Sequence, residues 1–114
     1  MYDFSKDNAD TIDFGTGNVK GSFNPKYYKL AKRSLYTVYS DGELVLNFGW
    51  LNDSLTAERY RDLFREKLSA IKTINDKIPP DYKDKGIKIS ISEWAPYVDK
   101  FISIIQELIS ESIE

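Results

Sequence analysis

Between Phe14 and Ser40 the chain carries five basic side chains, Lys20, Lys26, Lys29, Lys32 and Arg33, and no acidic one. The net charge over all 114 residues is −2, so with +5 inside this window the remainder holds −7. Phe23, Tyr27, Tyr28 and Tyr36 are interleaved with the cations. Ammonium and guanidinium groups pair with phosphates and aromatic rings stack on bases, so the mixture suits a nucleic-acid contact. The candidate surface is therefore Lys20, Lys26, Tyr27, Tyr28, Lys29, Lys32, Arg33 and Tyr36. Against it stands a simpler expectation, a solvated basic loop whose tyrosines close one edge of the core. The acidic overall balance also argues against strong unspecific binding, which accompanies a basic domain.

Composition narrows the chemistry elsewhere. There is no cysteine, which excludes disulfides, thiolate nucleophiles and cysteine-built zinc sites, and no histidine, which removes the usual general base near neutral pH and the commonest transition-metal ligand. Carboxylates, Lys, Tyr, Ser and Thr remain. The glycine-rich run from Gly15 to Gly21 resembles a phosphate loop only in composition. It lacks a terminal Gly-Lys-Ser/Thr and leads into Ser22-Phe23-Asn24-Pro25 rather than a helix, so a turn is expected. Pro80-Asp81 and Asp81-Tyr82-Lys83 superpose two halves of a metal-nuclease signature on one aspartate in a loop, where two carboxylates cannot converge on Mg²⁺ from strand ends. No convergent catalytic constellation, metal-ligand set or cofactor site emerges, and a non-catalytic protein is expected.

The elements that would position these residues follow from periodicity. From 34 to 51, two runs rich in Tyr, Val, Thr, Leu and Phe flank Asp41-Gly42, which predicts a β-hairpin with a two-residue turn. That turn sets Tyr39 opposite Leu44, Thr37 opposite Leu46 and Leu35 opposite Phe48, placing these residues and Trp50 on the core face. Tyr36, Val38, Val45 and Asn47 are left on the outer face. Apolar spacings of three and four predict a helix over about 55–73, capped by Ser54 or Thr56, with Glu58, Arg61, Asp62, Arg65, Glu66 and Lys72 on its solvated side. Asn52-Asp53-Ser54 reads as this helix start rather than as a glycosylation sequon. Ile87, Ile89 and Ile91 alternate as a short strand, and a second amphipathic helix over about 93–111 is capped by Ser92. Thr11 to Phe14 and Ser22-Phe23 are weaker strands. The expected fold is α+β: a small, mainly antiparallel sheet built on the 34–51 hairpin, in the order β, β, β, helix, strand, helix, with both helices on one face.

Residues 1–10 read as a flexible lead-in and 11–114 as one domain. Neither a secretory signal nor a membrane-length apolar stretch is present, so a cytoplasmic location without membrane contact is expected. The strings Ile12-Asp13-Phe14-Gly15-Thr16-Gly17, Gly21-Ser22-Phe23, Leu35 to Asp41-Gly42 and Phe48-Gly49-Trp50-Leu51 resemble the small accessory domains appended to bacterial proteins of restriction-nuclease and DNA-processing type. The resemblance implies a module that recognises, positions or assembles beside a catalytic domain. Together these features point to a non-catalytic accessory module that contacts nucleic acid or a neighbouring domain of a longer protein. The alternative is a protein-binding or homodimerisation domain using an apolar sheet or helix face.

Overall fold

The computed structural model describes residues 9–16, 21–27, 30 and 33–113. Five strands, β1 (Thr11–Thr16), β2 (Gly21–Lys26), β3 (Tyr36–Tyr39), β4 (Leu44–Leu46) and β5 (Ile87–Ile89), form one sheet in sequence order. Each is antiparallel to its neighbour, giving the expected α+β fold on the expected hairpin. Four strands rather than three precede the first helix. The upstream pair is also longer than its alternation suggested, because β2 runs through Pro25. Proline cannot donate to a ladder, and the β2–β3 pairing stops at Phe23 opposite Val38. The Ser34 hydroxyl takes over there, lying 2.5 Å from the Pro25 carbonyl and 2.6 Å from that of Tyr36, to either of which it can donate.

The hairpin turn differs by one residue from the two-residue loop. Tyr39 N–H donates to the Glu43 carbonyl and Gly42 N–H to the Tyr39 carbonyl, both at 2.9 Å, which closes a three-residue loop over 40–42. Gly42 has φ 91°, the left-handed position such loops reserve for glycine. The resulting register sets Tyr36 opposite Leu46, Thr37 opposite Val45 and Val38 opposite Leu44. Side chains alternate along a strand, so this single-residue shift exchanges the two faces of β3. Tyr36 and Val38 are core residues with Leu44 and Leu46, while Thr37 and Tyr39 join Val45 on the other side, and Trp50 is 44% exposed. The core row Phe23, Val38, Leu44, Ile89 then crosses four strands.

Ser54 caps α1 (Leu55–Leu68), its hydroxyl accepting from Ala57 N–H at 3.0 Å. The predicted continuous helix ends early. Ile71 adopts an extended conformation before α2 (Lys72–Asn75), which lets Ile71 and Ile74 both point into the core. The last helix is interrupted as well: α3 (Ile91–Trp94) passes through a 3-10 turn, Ala95–Tyr97, into α4 (Val98–Ile113), because Pro96 has no N–H for a continuous α-helical ladder. Ser90, not Ser92, begins it. The Glu93 carboxylate accepts from the Ser90 amide at 3.1 Å and hydroxyl at 2.8 Å, the reach-back of a capping box that needs an acidic residue three positions on. The two long helices meet one face of the sheet through a chain of rings. Tyr36 stands edge-on to Phe101 at 5.3 Å, Phe101 meets Phe64 at 6.1 Å, and Phe64 meets Phe48 at 5.9 Å.

The C-terminal segment is fastened to the hairpin at the turn itself, where the Trp94 indole N–H donates to the Gly42 carbonyl at 2.7 Å. A Cβ on Gly42 would lie 2.5 Å from Ile91 Cδ1. Gly42→Ala therefore combines left-handed backbone strain with a clash, and it should lower unfolding stability by about 1–3 kcal/mol. Urea denaturation would show this as a fall in midpoint without a change in slope.

Candidate functional site

The structure separates the sequence-derived candidates. Tyr27 and Tyr36 are 3% and 0% exposed, and their hydroxyls hydrogen-bond each other at 2.8 Å. Neither ring offers a face for stacking: Tyr36 was turned inward by the hairpin register, and a buried phenol needs a polar partner, which each supplies to the other. The apolar outer face expected from Tyr36 and Val38 is likewise core, so it does not form a partner surface. Lys26 is half-buried at the end of β2 and Arg33 is exposed. These two are brought together, lining a recess of ≈ 260 Å³ with Asn24, Ser34 and Trp50. Lys20, Tyr28, Lys29 and Lys32 lie outside the described residues.

That recess opens onto the sheet face opposite the helices. A larger depression of ≈ 430 Å³ is lined by Ser22 and Asn24 of β2, Thr37 and Tyr39 of β3, Val45 of β4, then Asn47, Gly49, Trp50, Asp84 and Gly86. No residue of α1 or α4 lines it. Asn24 and Trp50 line both recesses, so the two adjoin. Lys88, opposite Val45 on the edge strand, adds an exposed cation to the same face. The floor is a polar network: Thr37 Oγ1 donates to Asn24 Oδ1, and Asn47 Nδ2 donates to Thr37 Oγ1 at 2.9 Å and to the Ser34 carbonyl at 3.2 Å. Thr37 and Asn47 are buried, and each has a partner, so the floor is rigid and without orphaned polar atoms.

The wall holding Trp50 is a 3-10 turn, Phe48–Trp50, braced by a second one, Tyr82–Asp84. Gly49 N–H donates to the Lys85 carbonyl at 2.9 Å, and a Cβ at Gly49 would come within 2.9 Å of the Asp84 carbonyl group. Glycine is required here for backbone to approach backbone. The Tyr82 ring stands edge-on to Phe48 at 5.0 Å. Its hydroxyl donates to Asp62 Oδ1 at 2.7 Å, and Arg61 Nε donates to the same oxygen at 2.9 Å. Arg61, expected on a solvated helix side, is only 5% exposed. Helical spacing accounts for its ion pair with Glu58 at 4.0 Å, but not for its bond to Asn52, which comes from the turn before the helix.

Comparison with family models, with curated proteins and with solved structures finds no match. Among the described residues no three Asp or Glu side chains gather as a metal site, and no helix is long and apolar enough to cross a membrane. The recess can offer stacking on an exposed indole, pairing with two cations, and hydrogen bonding along an uncharged floor.

The Arg61 guanidinium, followed by the Tyr82 hydroxyl, holds the Asp62 carboxyl below its ordinary value, with burial opposing. Burial, then the bond to Asp62, pushes the Tyr82 phenol up. A carboxyl whose folded pKa is depressed contributes stability that is complete above its unfolded pKa, about 3.9, and is lost as pH falls through the lower folded value. Asp62→Asn should therefore cost stability at pH 7 and flatten the acid limb of the stability profile below about pH 4. Thermal unfolding of both proteins across pH 2–7 checks this, and parallel profiles would contradict it.

Proposed function

We propose that the domain is a non-catalytic binding module that takes single-stranded nucleic acid on the helix-free face of its sheet. Trp50 stacks on a base, Arg33 and Lys26 pair with phosphates, and the Asn24–Thr37–Asn47 floor lies beneath the strand. The observation that carries this is a pair of adjoining recesses: two cations and an exposed indole line the smaller, and the same indole borders the larger, whose floor is uncharged and whose wall carries one carboxylate, Asp84. A sheet face with an aromatic platform and flanking cations is the arrangement by which unpaired bases are held with little sequence preference. The basic window found in the sequence supports the same reading through its described members, with the stacking role moved from Tyr27 and Tyr36 to Trp50. Within the accessory setting that the resemblance implies, such a module would hold a strand for a neighbouring domain.

Fluorescence anisotropy of labelled single-stranded and duplex oligonucleotides at two salt concentrations tests this. Single strands should bind more tightly than duplex, with affinity falling as salt rises. Trp50→Ala should cost about 1–3 kcal/mol, the worth of one stacked base. Replacing both Lys26 and Arg33 by alanine should lower the salt slope by about 1.4, two single-strand phosphate contacts at about 0.7 each. Absence of binding at low salt, or equal binding by the Trp50→Ala protein, would sink it.

A further inference from the structure

We infer that Arg61, which lines neither recess, is the positioning residue of the binding face, and that it acts through Asn52 on the turn carrying Trp50. The inference deepens the proposed function and draws its relevance to binding from it.

A guanidinium buried to 5% exposure on a small domain is costly to desolvate unless its donors are used in good geometry. Arg61 uses them in two directions, with the Glu58 carboxylate 4.0 Å from Nη1 as a longer ion pair. Nε and Nη2 engage the Asp62 carboxylate at 2.9 and 3.2 Å, and Nη1 donates to Asn52 Oδ1. Held by its oxygen, the Asn52 amide presents its nitrogen to two separate backbones: Nδ2 donates to the Gly49 carbonyl at 3.2 Å and to the Lys83 carbonyl at 2.8 Å. One side-chain amide thus bridges the Phe48–Trp50 turn to the Tyr82–Asp84 turn, its longer reach running from Asn52 to Lys83, 31 residues on. Both turns supply the wall of the larger recess, through Gly49 and Trp50 on one side and Asp84 on the other. Asp62 fastens the second turn independently, through the Tyr82 hydroxyl. Arg61 and Asp62 therefore set the depth and width of the groove from behind, without reaching the ligand.

Asn52→Asp separates this role from packing. The aspartate keeps the oxygen that Arg61 holds, and adds an opposite charge, but has no N–H to give to Gly49 or Lys83. If the Asn52 amide merely fills space beside Arg61, this variant is neutral or stabilising. If Arg61 and Asn52 form a latch, the turn loosens. Amide hydrogen exchange in the intact domain reads this without any ligand, using Gly49 and Trp50 as reporters and the β3–β4 ladder as the internal reference. Losing one net hydrogen bond at the turn should speed exchange at Gly49 and Trp50 by about tenfold while leaving the ladder unchanged. Arg61→Met should give the same local signature, and the double variant should add little to either single one, the mark of residues acting in series. Oligonucleotide affinity should fall in the same variants. Unchanged exchange at Gly49 and Trp50 in Asn52→Asp, or a proportional rise across the whole sheet, overturns the latch. A local rise in Asn52→Asp but not in Arg61→Met overturns the part assigned to Arg61. Should the wild-type protein fail to bind oligonucleotides while the local exchange responds as expected, the latch stands and the nucleic-acid assignment falls.

Discussion

The conformation of Gly42 governs more of this protein than any contact in its core. A residue free to take φ 91° lets the hairpin close over three residues instead of two, and loop length sets strand register. Register in turn decides which alternate set of side chains on β3 and β4 faces the helices. Tyr36 and Val38 go in with Leu44 and Leu46, and Thr37 goes out with Val45. The same glycine accepts the Trp94 indole N–H and passes beneath Ile91, so the start of the C-terminal helices is seated on the turn that fixes the sheet. Local backbone freedom and long-range packing meet at one residue, and an added methyl group disturbs both.

With the apolar set committed inward, the opposite face has to satisfy polar groups without help from a covering helix. Ser34, Thr37 and Asn47 are all buried, and each would be expensive if left without a partner. They are connected instead, Asn47 bridging the Ser34 carbonyl and Thr37, and Thr37 reaching Asn24 across the strands. These side-chain bonds replace a backbone ladder that Pro25 cannot supply beyond Phe23. The β2–β3 seam is therefore zipped by backbone at one end and by hydroxyls and amides at the other. The second end is where the recess opens.

Elements that depend on neighbours in sequence were legible beforehand: the hairpin from its two β-rich runs, the start of α1 from Ser54, and the α+β class from the succession of periods. What escaped was decided by single residues with two competing meanings. Asp41-Gly42 favours a two-residue turn, yet glycine serves equally at the end of a three-residue loop, and the choice inverts a face. Pro96 has no N–H to continue a helical ladder, and it falls after a first turn already begun at Ile91. Arg61 has the spacing of a solvated ion-pair residue, and its burial comes with a bond to Asn52, which no helical period connects to it. The candidate face was half legible for the same reason. Charge asymmetry pointed to Lys26 and Arg33, whereas Trp50 was assigned to the core by extending strand alternation past Leu46, where the chain turns instead into the 3-10 turn Phe48–Trp50.

A large indole left 44% exposed is ordinary on a flexible loop and less so on a turn held as firmly as this one. Gly49 is tied to the Lys85 carbonyl and packed against the Asp84 backbone, Phe48 is fully buried beside Tyr82, and Asn52 joins the two turns from outside. Trp50 thus stands on a platform whose neighbours on both sides are ordered before any partner arrives. Association is penalised by the freedom lost on binding, so an aromatic group already held in place forfeits less than one on a mobile loop. The cations complement this. Arg33 is exposed on a long stem and can adjust to a ligand, while the indole cannot. A rigid apolar surface beside an adaptable charge suits a chain of repeating phosphates and flat bases, in which the spacing is constant and the base identity varies.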